Sequence, residues 1–145
     1  MIAIRQADVR DLPRILALYE QLTEEKLNLT DDAAKKTFFE ITEMPRQEFL
    51  VAEKDGLVVG TLFLQIVPNL SHDAHAWAII ENMVVDSACR RQGIGRLLME
   101  YAYTVCRQAG CYKVQLLSNK KRLEAHLFYR SLGFEDSAMG FRLYF

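Results

Sequence analysis

The segment from Trp77 to Ala109 constrains the fold most, because its hydrophobic period changes part-way along. Trp77 to Val85 is an apolar run of strand length, interrupted only by Glu81 and Asn82. Further on, Ile94, Leu97, Leu98, Tyr101, Ala102, Val105, Cys106 and Ala109 recur in steps of three and one, with Gly110 as a helix stop. A buried strand therefore feeds an amphipathic helix through the corner Asp86 to Gly93. The rest of the chain must supply a sheet for that strand and a face for that helix.

It supplies both. Ile2 to Gln6 reads as a strand, and Leu12, Ile15, Leu16, Tyr19 and Leu22 follow at helical spacing, with Asp11 as N-cap and Pro13 in the first turn. Asp31 to Met44 reads as a second helix ended by Pro45, with a ragged apolar face around Phe38, Phe39 and Ile41. Phe49 to Glu53 and Leu57 to Val67 are strands joined by Lys54-Asp55-Gly56, a hairpin signal. Pro68 to Ala76 is a loop. After the long helix come a short strand over Val114 to Leu117 and a helix from Arg122 to Leu132, closed by Gly133. Phe134 to Ser137 and Phe141 to Phe145 complete the pattern as two last strands. The order predicts an α/β domain with helices on both faces of its sheet, and no repeat or linker divides it, so residues 1–145 read as a single domain.

Half of the 145 residues are apolar and the formal net charge is -1, the composition of a soluble globular chain. No long run of Lys or Arg provides the concentrated cationic surface that nucleic acid requires. No apolar stretch reaches the length of a membrane span, and Met1 to Asp11 lacks the pattern of a signal peptide. A cytoplasmic protein is the expectation. Cys89, Cys106 and Cys111 show no metal-type spacing, and Cys106 falls on the helical stripe as a buried thiol. Cys111 has no activating His or acid near it in sequence that would make it a nucleophile.

The chemistry is concentrated in the corner. A helix start presents unpaired N–H groups and partial positive charge, which suits phosphate. Gly93 and Gly95 allow close backbone approach, and Arg90, Arg91 and Arg96 add forked donors. No Lys-Ser or Lys-Thr follows a glycine, so this is no P-loop. Gly93-Ile94-Gly95 is followed by Arg96-Leu97-Leu98, so the dinucleotide fingerprint lacks its third glycine.

Arg90, Gly93 and Gly95 instead match the pattern Arg or Gln, two residues, Gly, one residue, Gly or Ala. Glu81-Asn82-Met83-Val84-Val85 precede it, Asn119 follows the next strand, and Phe128-Tyr129 precede Gly133-Phe134. In these features and in element order along nearly its whole length, the chain resembles the GNAT superfamily of N-acetyltransferases. The resemblance implies a mixed sheet of about seven strands flanked by four helices, splayed at the cofactor site. It implies acetyl-CoA as acyl donor, with the pantetheine arm paired to backbone along Met83, Val84 and Val85. The amides of Arg90, Arg91, Gln92, Gly93, Ile94, Gly95 and Arg96 would face the pyrophosphate. The acceptor is then an amine, on a small molecule or a peptide, and family habit allows a homodimer.

Acyl transfer to an amine needs a base for the ammonium proton and an acid for the departing thiolate. Glu81 is the candidate base: simple alternation sets it in phase with Trp77, Ile79, Met83 and Val85, and a carboxylate on an apolar face demands a partner or a cavity. A bulge turning it to solvent is the structural alternative. Tyr129 is the candidate acid, its alternative being a core aromatic beside Phe128. Asn119 reads equally as a contact to the cofactor arm and as a turn former. His126 lies one turn before Tyr129, near the acceptor or simply on a partly exposed helix face. His72 and His75 flank Asp73 without a clear third ligand, so acceptor recognition outranks metal binding. Tyr19, Phe38 and Phe39 read as core. An acyl-CoA sensor that needs neither Glu81 nor Tyr129, and a nucleotide-binding domain, are the rival functional readings.

Overall fold

The computed structural model describes residues 1–145, which form two compact units, Met1–Gln115 and Leu116–Phe145. The first unit holds β1 (Ile2–Gln6), α1 (Leu12–Thr23), α2 (Asp31–Glu43), β2 (Gln47–Lys54), β3 (Leu57–Val67), β4 (Trp77–Val85), α3 (Ile94–Gln108) and β5 (Lys113–Gln115). The second holds α4 (Leu123–Ser131). The sheet runs β1-β2-β3-β4-β5, antiparallel as far as β4 and parallel between β4 and β5.

Local chemistry explains each boundary. Asp55 and Gly56 both take positive φ, 52° and 77°, which a tight two-residue hairpin turn demands. Thr30 caps α2 by accepting from the Ala33 N–H at 3.2 Å, and Met44 leaves the helix in extended conformation just before Pro45. Asp11 stands at the entry to α1 but does not cap it. Its carboxylate instead accepts from the Asp8 N–H at 2.7 Å and from Arg5 at 2.7 and 2.9 Å, closing a capping box around the 3-10 turn Val9–Asp11.

Strand parity separates the two layers. Val51 pairs with Thr61 and Ala52 with Gly60, so adjacent rungs face opposite sides. On one side Phe49, Val51 and Val84 pack with Leu12, Ile15 and Leu18 of α1 and with Ala34 and Phe38 of α2. On the other, a Cβ placed on Gly60 would lie 3.2 Å from Leu98 Cδ1 and 3.3 Å from Ile94 Cγ2, so α3 sits directly on β3. Ile94, Leu98, Met99 and Ala102 are wholly buried on that face, and each of the larger side chains contributes about 1.5–3 kcal/mol by leaving water. Phe39, expected in the core with Phe38, is half exposed. Phe38 alone points inward, and the two rings meet edge to face at 5.7 Å.

The sheet has five strands, not about seven. Phe134 to Ser137 and Phe141 to Phe145 form no strand. Alternation earns a strand only when one face is buried, and Phe141, Leu143 and Phe145 are all at least 80% exposed. Residues 71–74 form a turn in which His72, Asp73 and Ala74 all lie in the left-handed region, at φ 54°, 56° and 60°. His72 stacks on Tyr112 at 4.0 Å and His75 Nδ1 lies 2.8 Å from the His72 carbonyl. No group of three His, Cys, Asp or Glu side chains forms a metal cluster, and no helix is long and apolar enough to cross a membrane.

Candidate active site

β4 carries the first part of the site and is irregular where it matters. Phe63 pairs with Glu81, but Thr61 pairs with Val84, so β4 holds one residue more than β3 between these rungs. The extra residue is accommodated at Asn82, whose φ of 51° is left-handed. That is a β-bulge, and it reverses the phase of the strand. Glu81 shares the Phe63 side of the sheet, towards α1 and α2, and is exposed; Val84 regains that side after the bulge. The simple alternation that grouped Glu81 with Met83 and Val85 on one apolar face therefore fails at Asn82. Pairing with β5 ends at Ile79 opposite Gln115, while β4 continues to Val85.

The chain then turns through a braced corner. Asp86 is buried; its N–H donates to the Val59 carbonyl at 2.8 Å, and its carboxylate accepts from the Ala88 N–H at 2.9 Å. The same carboxylate pairs with the guanidinium of Arg14 on α1, and Arg14 Nε donates to the Val58 carbonyl at 2.7 Å. Ser87 N–H donates to Gln21 Oε1 at 3.0 Å, and Lys54 Nζ donates to Gln92 Oε1 at 2.7 Å. These contacts tie the loop to α1 and to the end of β2. Arg14 and Asp86 lie 72 residues apart, so no sequence pattern announced the pair.

The corner ends at the start of α3. Arg91 and Gly93 take φ of 61° and 80°, and α3 begins directly after Gly93. Leu97 N–H donates to the Gly93 carbonyl at 3.1 Å and closes the first turn of α3. By helix geometry the N–H groups of Ile94, Gly95 and Arg96 then have no carbonyl within the helix to meet. Arg90, Arg91 and Arg96 are exposed around this helix start, and Arg90 Nε reaches the Val85 carbonyl at 3.4 Å. Orphan amides and the positive end of the helix dipole thus coincide with a segment that carries three exposed arginines, chemistry that would suit a pyrophosphate.

In the second unit, Asn119 Oδ1 accepts from the Lys121 N–H at 2.9 Å, which makes the side chain a turn former ahead of α4. His126 Nε2 lies 2.8 Å from the Asn119 carbonyl, so it braces the same turn. Tyr129 sits between aromatic neighbours, 5.4 Å from Phe128 and 5.7 Å from Phe134. Burial raises the pKa of its phenol, opposed by the charge of Arg122, so it stays protonated at neutral pH and is available as a donor. The thiols give no rival nucleophile. Burial pushes Cys106 up to about 11 and also raises Cys111, which keeps both protonated.

Comparison with known proteins fits this geometry. The model of the acetyltransferase (GNAT) family matches residues 15–134. An aminoalkylphosphonate N-acetyltransferase of Salmonella typhimurium is 31% identical over 95% of this chain and 88% of its own. A glucosamine 6-phosphate N-acetyltransferase of Trypanosoma brucei brucei is 34% identical over 71% of each chain. A solved structure from Agrobacterium tumefaciens str. C58, provisionally assigned as an acetyltransferase, superposes with a TM-score of 0.92 at 37% identity, covering 98% of this chain and 99% of that one. With its mixed sheet and four helices, this chain belongs to the GNAT family of acetyltransferases.

Proposed function

We propose that this protein transfers an acetyl group from acetyl-CoA to the primary amine of a small acceptor that carries a phosphate or phosphonate. The observation that carries the donor assignment is the corner from Asp86 to Arg96, where orphan amides and a helix dipole occur in a segment with three exposed arginines. The acceptor class rests on two relatives, named for glucosamine 6-phosphate and for aminoalkylphosphonates. Both acceptors pair an amine with a phosphorus oxyanion.

In this reading the pyrophosphate lies on the amides from Arg90 to Arg96, that is Arg90, Arg91, Gln92, Gly93, Ile94, Gly95 and Arg96. The pantetheine arm runs along Met83, Val84 and Val85, where β4 extends past its last pair with β5. Glu81 takes the proton from the acceptor ammonium. The amine nitrogen then attacks the thioester carbon, the C–S bond breaks, the thiolate leaves with a proton from Tyr129, and the second proton that nitrogen sheds as the amide forms restores the Tyr129 phenol through solvent. No bond forms to the enzyme. Asn119 is retained as a contact to the cofactor arm through its amide N–H, since its carbonyl oxygen is taken by the turn. Residues 1–145 act as one catalytic domain.

A panel of amines tests the reading: phosphorylated amino sugars, aminoalkylphosphonates, their dephosphorylated counterparts, polyamines and peptides. Thiol release from acetyl-CoA is followed, and products are weighed by mass spectrometry. The proposal expects acetylated product, with the phosphorus-bearing amines at least tenfold better in kcat/KM than their neutral counterparts, which corresponds to about 1.4 kcal/mol. Preference for a peptide or polyamine would overturn the acceptor class. CoA binding without turnover of any amine would point to a sensor instead.

A further inference from the structure

A cavity lies on the face of the sheet opposite Glu81. Gly60 of β3 is where α3 rests, and by alternation Leu62, Leu64 and Ile66 share its side. Glu48 pairs with Leu64, so its side chain takes the α3 side as well. There Arg46, Glu48, Ile66, Val105 and Ala109 line a cavity of about 300 Å³, the small end of the range for ligand sites. Three of these residues make apolar walls, and the two charges are not spent on each other. Glu48 is half-buried and accepts from a single donor, Gln6 Nε2, while Gln6 Oε1 accepts from the Phe49 N–H at 3.3 Å. A partly desolvated carboxylate with one donor keeps unused acceptor positions and gains from a cation. Burial accordingly pushes its carboxyl above the usual carboxylate range. Ala109 is the C-cap of α3, and a helix C-terminus carries partial negative charge, which adds to that preference. Arg46 is exposed and its guanidinium forms no ion pair. Its backbone is pinned at a left-handed φ of 58°, the carbonyl accepting from the Ile66 N–H at 2.9 Å and from Gln65 Nε2 at 3.3 Å. A non-glycine residue held at such a φ is a local cost that accompanies binding sites.

We propose that this cavity binds a small aliphatic α-amino acid. Its ammonium pairs with Glu48, its carboxylate with Arg46, and its side chain packs on Ile66, Val105 and Ala109. A zwitterion answers both unspent charges at once, whereas a simple amine leaves Arg46 unmatched and a simple carboxylate leaves Glu48 so. The site is separate from the acyl-transfer chemistry: Glu81 faces the other side of the sheet, and Val105 and Ala109 stand at the far end of α3 from its start at Ile94.

The full chain, without acetyl-CoA so that no amine is acetylated, is titrated with L-leucine and followed by NMR of its backbone amides. The shifts should saturate and centre on Arg46, Glu48, Ile66, Val105 and Ala109, with Glu81 and its neighbours in β4 unmoved. Isopentylamine and isovalerate, each lacking one of the two charges, should bind at least tenfold more weakly than leucine. Glu48→Gln and Arg46→Gln should each weaken leucine binding at least fivefold while the remaining amide spectrum stays that of the parent fold. Val105→Phe, which fills the cavity, should abolish binding; Arg46→Gln, on an exposed side chain, keeps the proposal testable if that larger change does not fold. The proposal is overturned by the absence of saturable shifts up to about 10 mM leucine, or by shifts centred on β4. It is overturned equally if isopentylamine or isovalerate binds as well as leucine, or if Glu48→Gln or Arg46→Gln keeps parent affinity.

Discussion

Gly60 sets how closely the phosphate-binding helix can sit on the sheet, and Gly60→Ala measures that closeness. The added Cβ would meet Leu98 Cδ1 at 3.2 Å, Ile94 Cγ2 at 3.3 Å and the Val84 carbonyl oxygen at 3.3 Å. Ordinary contact begins near 3.4 Å, so two side chains and a backbone atom must each give by a few tenths of an ångström. Ile94 and Leu98 are 1% and 0% exposed, and the carbonyl belongs to the strand, so none has room to yield. Overpacking of this kind costs about 1–3 kcal/mol. Gly60 has no left-handed φ, so alanine restores about 0.4–1 kcal/mol through the unfolded chain. At mid-range values the balance is a destabilisation of about 1.3 kcal/mol, or about 3–5 °C in melting temperature for a chain of this size. Ile94 is also the first residue of α3, so lifting it displaces the amides beside it and should weaken CoA binding about threefold. Gly110→Ala is the control. Its φ is +69° and a Cβ there meets nothing within 4 Å, so it should lower the melting temperature through backbone strain alone and leave CoA affinity intact. Calorimetric titration and thermal melts on the same preparations separate the two. A Gly60→Ala protein as stable as the parent, with parent affinity for CoA, would refute the claim that this seat is tight.

Glu81→Gln should lower kcat/KM most at low pH, where few acceptor amines are already neutral, and recover as pH approaches the amine's own pKa; parallel pH–rate profiles for mutant and parent would remove Glu81 as base. Tyr129→Phe keeps its aromatic contacts and should lower kcat about 10²-fold with little change in melting temperature, whereas a purely packing role predicts near-normal turnover. Arg5 beside it holds the Asp11 carboxyl below the usual carboxylate range, with burial opposing and the Asp8 N–H assisting. A carboxyl lowered on folding contributes stability that is fully present above its unfolded pKa and is lost as pH falls through the folded one. Asp11→Asn should therefore be less stable than the parent at neutral pH, with the gap closing below about pH 4, as melts across the range will show.

The elements with long, regular periods were legible in the sequence, and so was the corner between them. The three-and-one spacing from Ile94 to Ala109 located α3, Asp55-Gly56 located the hairpin, and Gly110 and Gly133 take the positive φ expected after helices. What stayed hidden depends on partners distant in sequence. A bulge is a mismatch between two strands, so β4 alone offered it only as the alternative that turns Glu81 to solvent; the register with β3 bears that alternative out and puts the extra residue at Asn82. Asp86 stood in the motif without visible purpose until Arg14 met it from α1. Gly60 sat unremarked in an apolar run, and only the helix above it shows why a side chain is excluded. The last two expected strands failed for a related reason: alternation in Phe141, Leu143 and Phe145 describes a strand only if something covers one face.

The central claim is that the start of α3 holds the pyrophosphate of CoA, and Gly95→Asp tests it without threatening the fold. Gly95 is partly exposed in the first turn of the helix. An aspartate there favours the helix dipole by about 0.3–1 kcal/mol, so the variant should be at least as stable as the parent. The same carboxylate would stand where phosphate belongs. Titrated by calorimetry, the folded variant should bind CoA at least tenfold more weakly than the parent, a loss of about 1.4 kcal/mol or more. Pantetheine, which lacks the pyrophosphate, should bind both proteins equally. Unchanged CoA affinity in a folded Gly95→Asp protein would contradict the assignment.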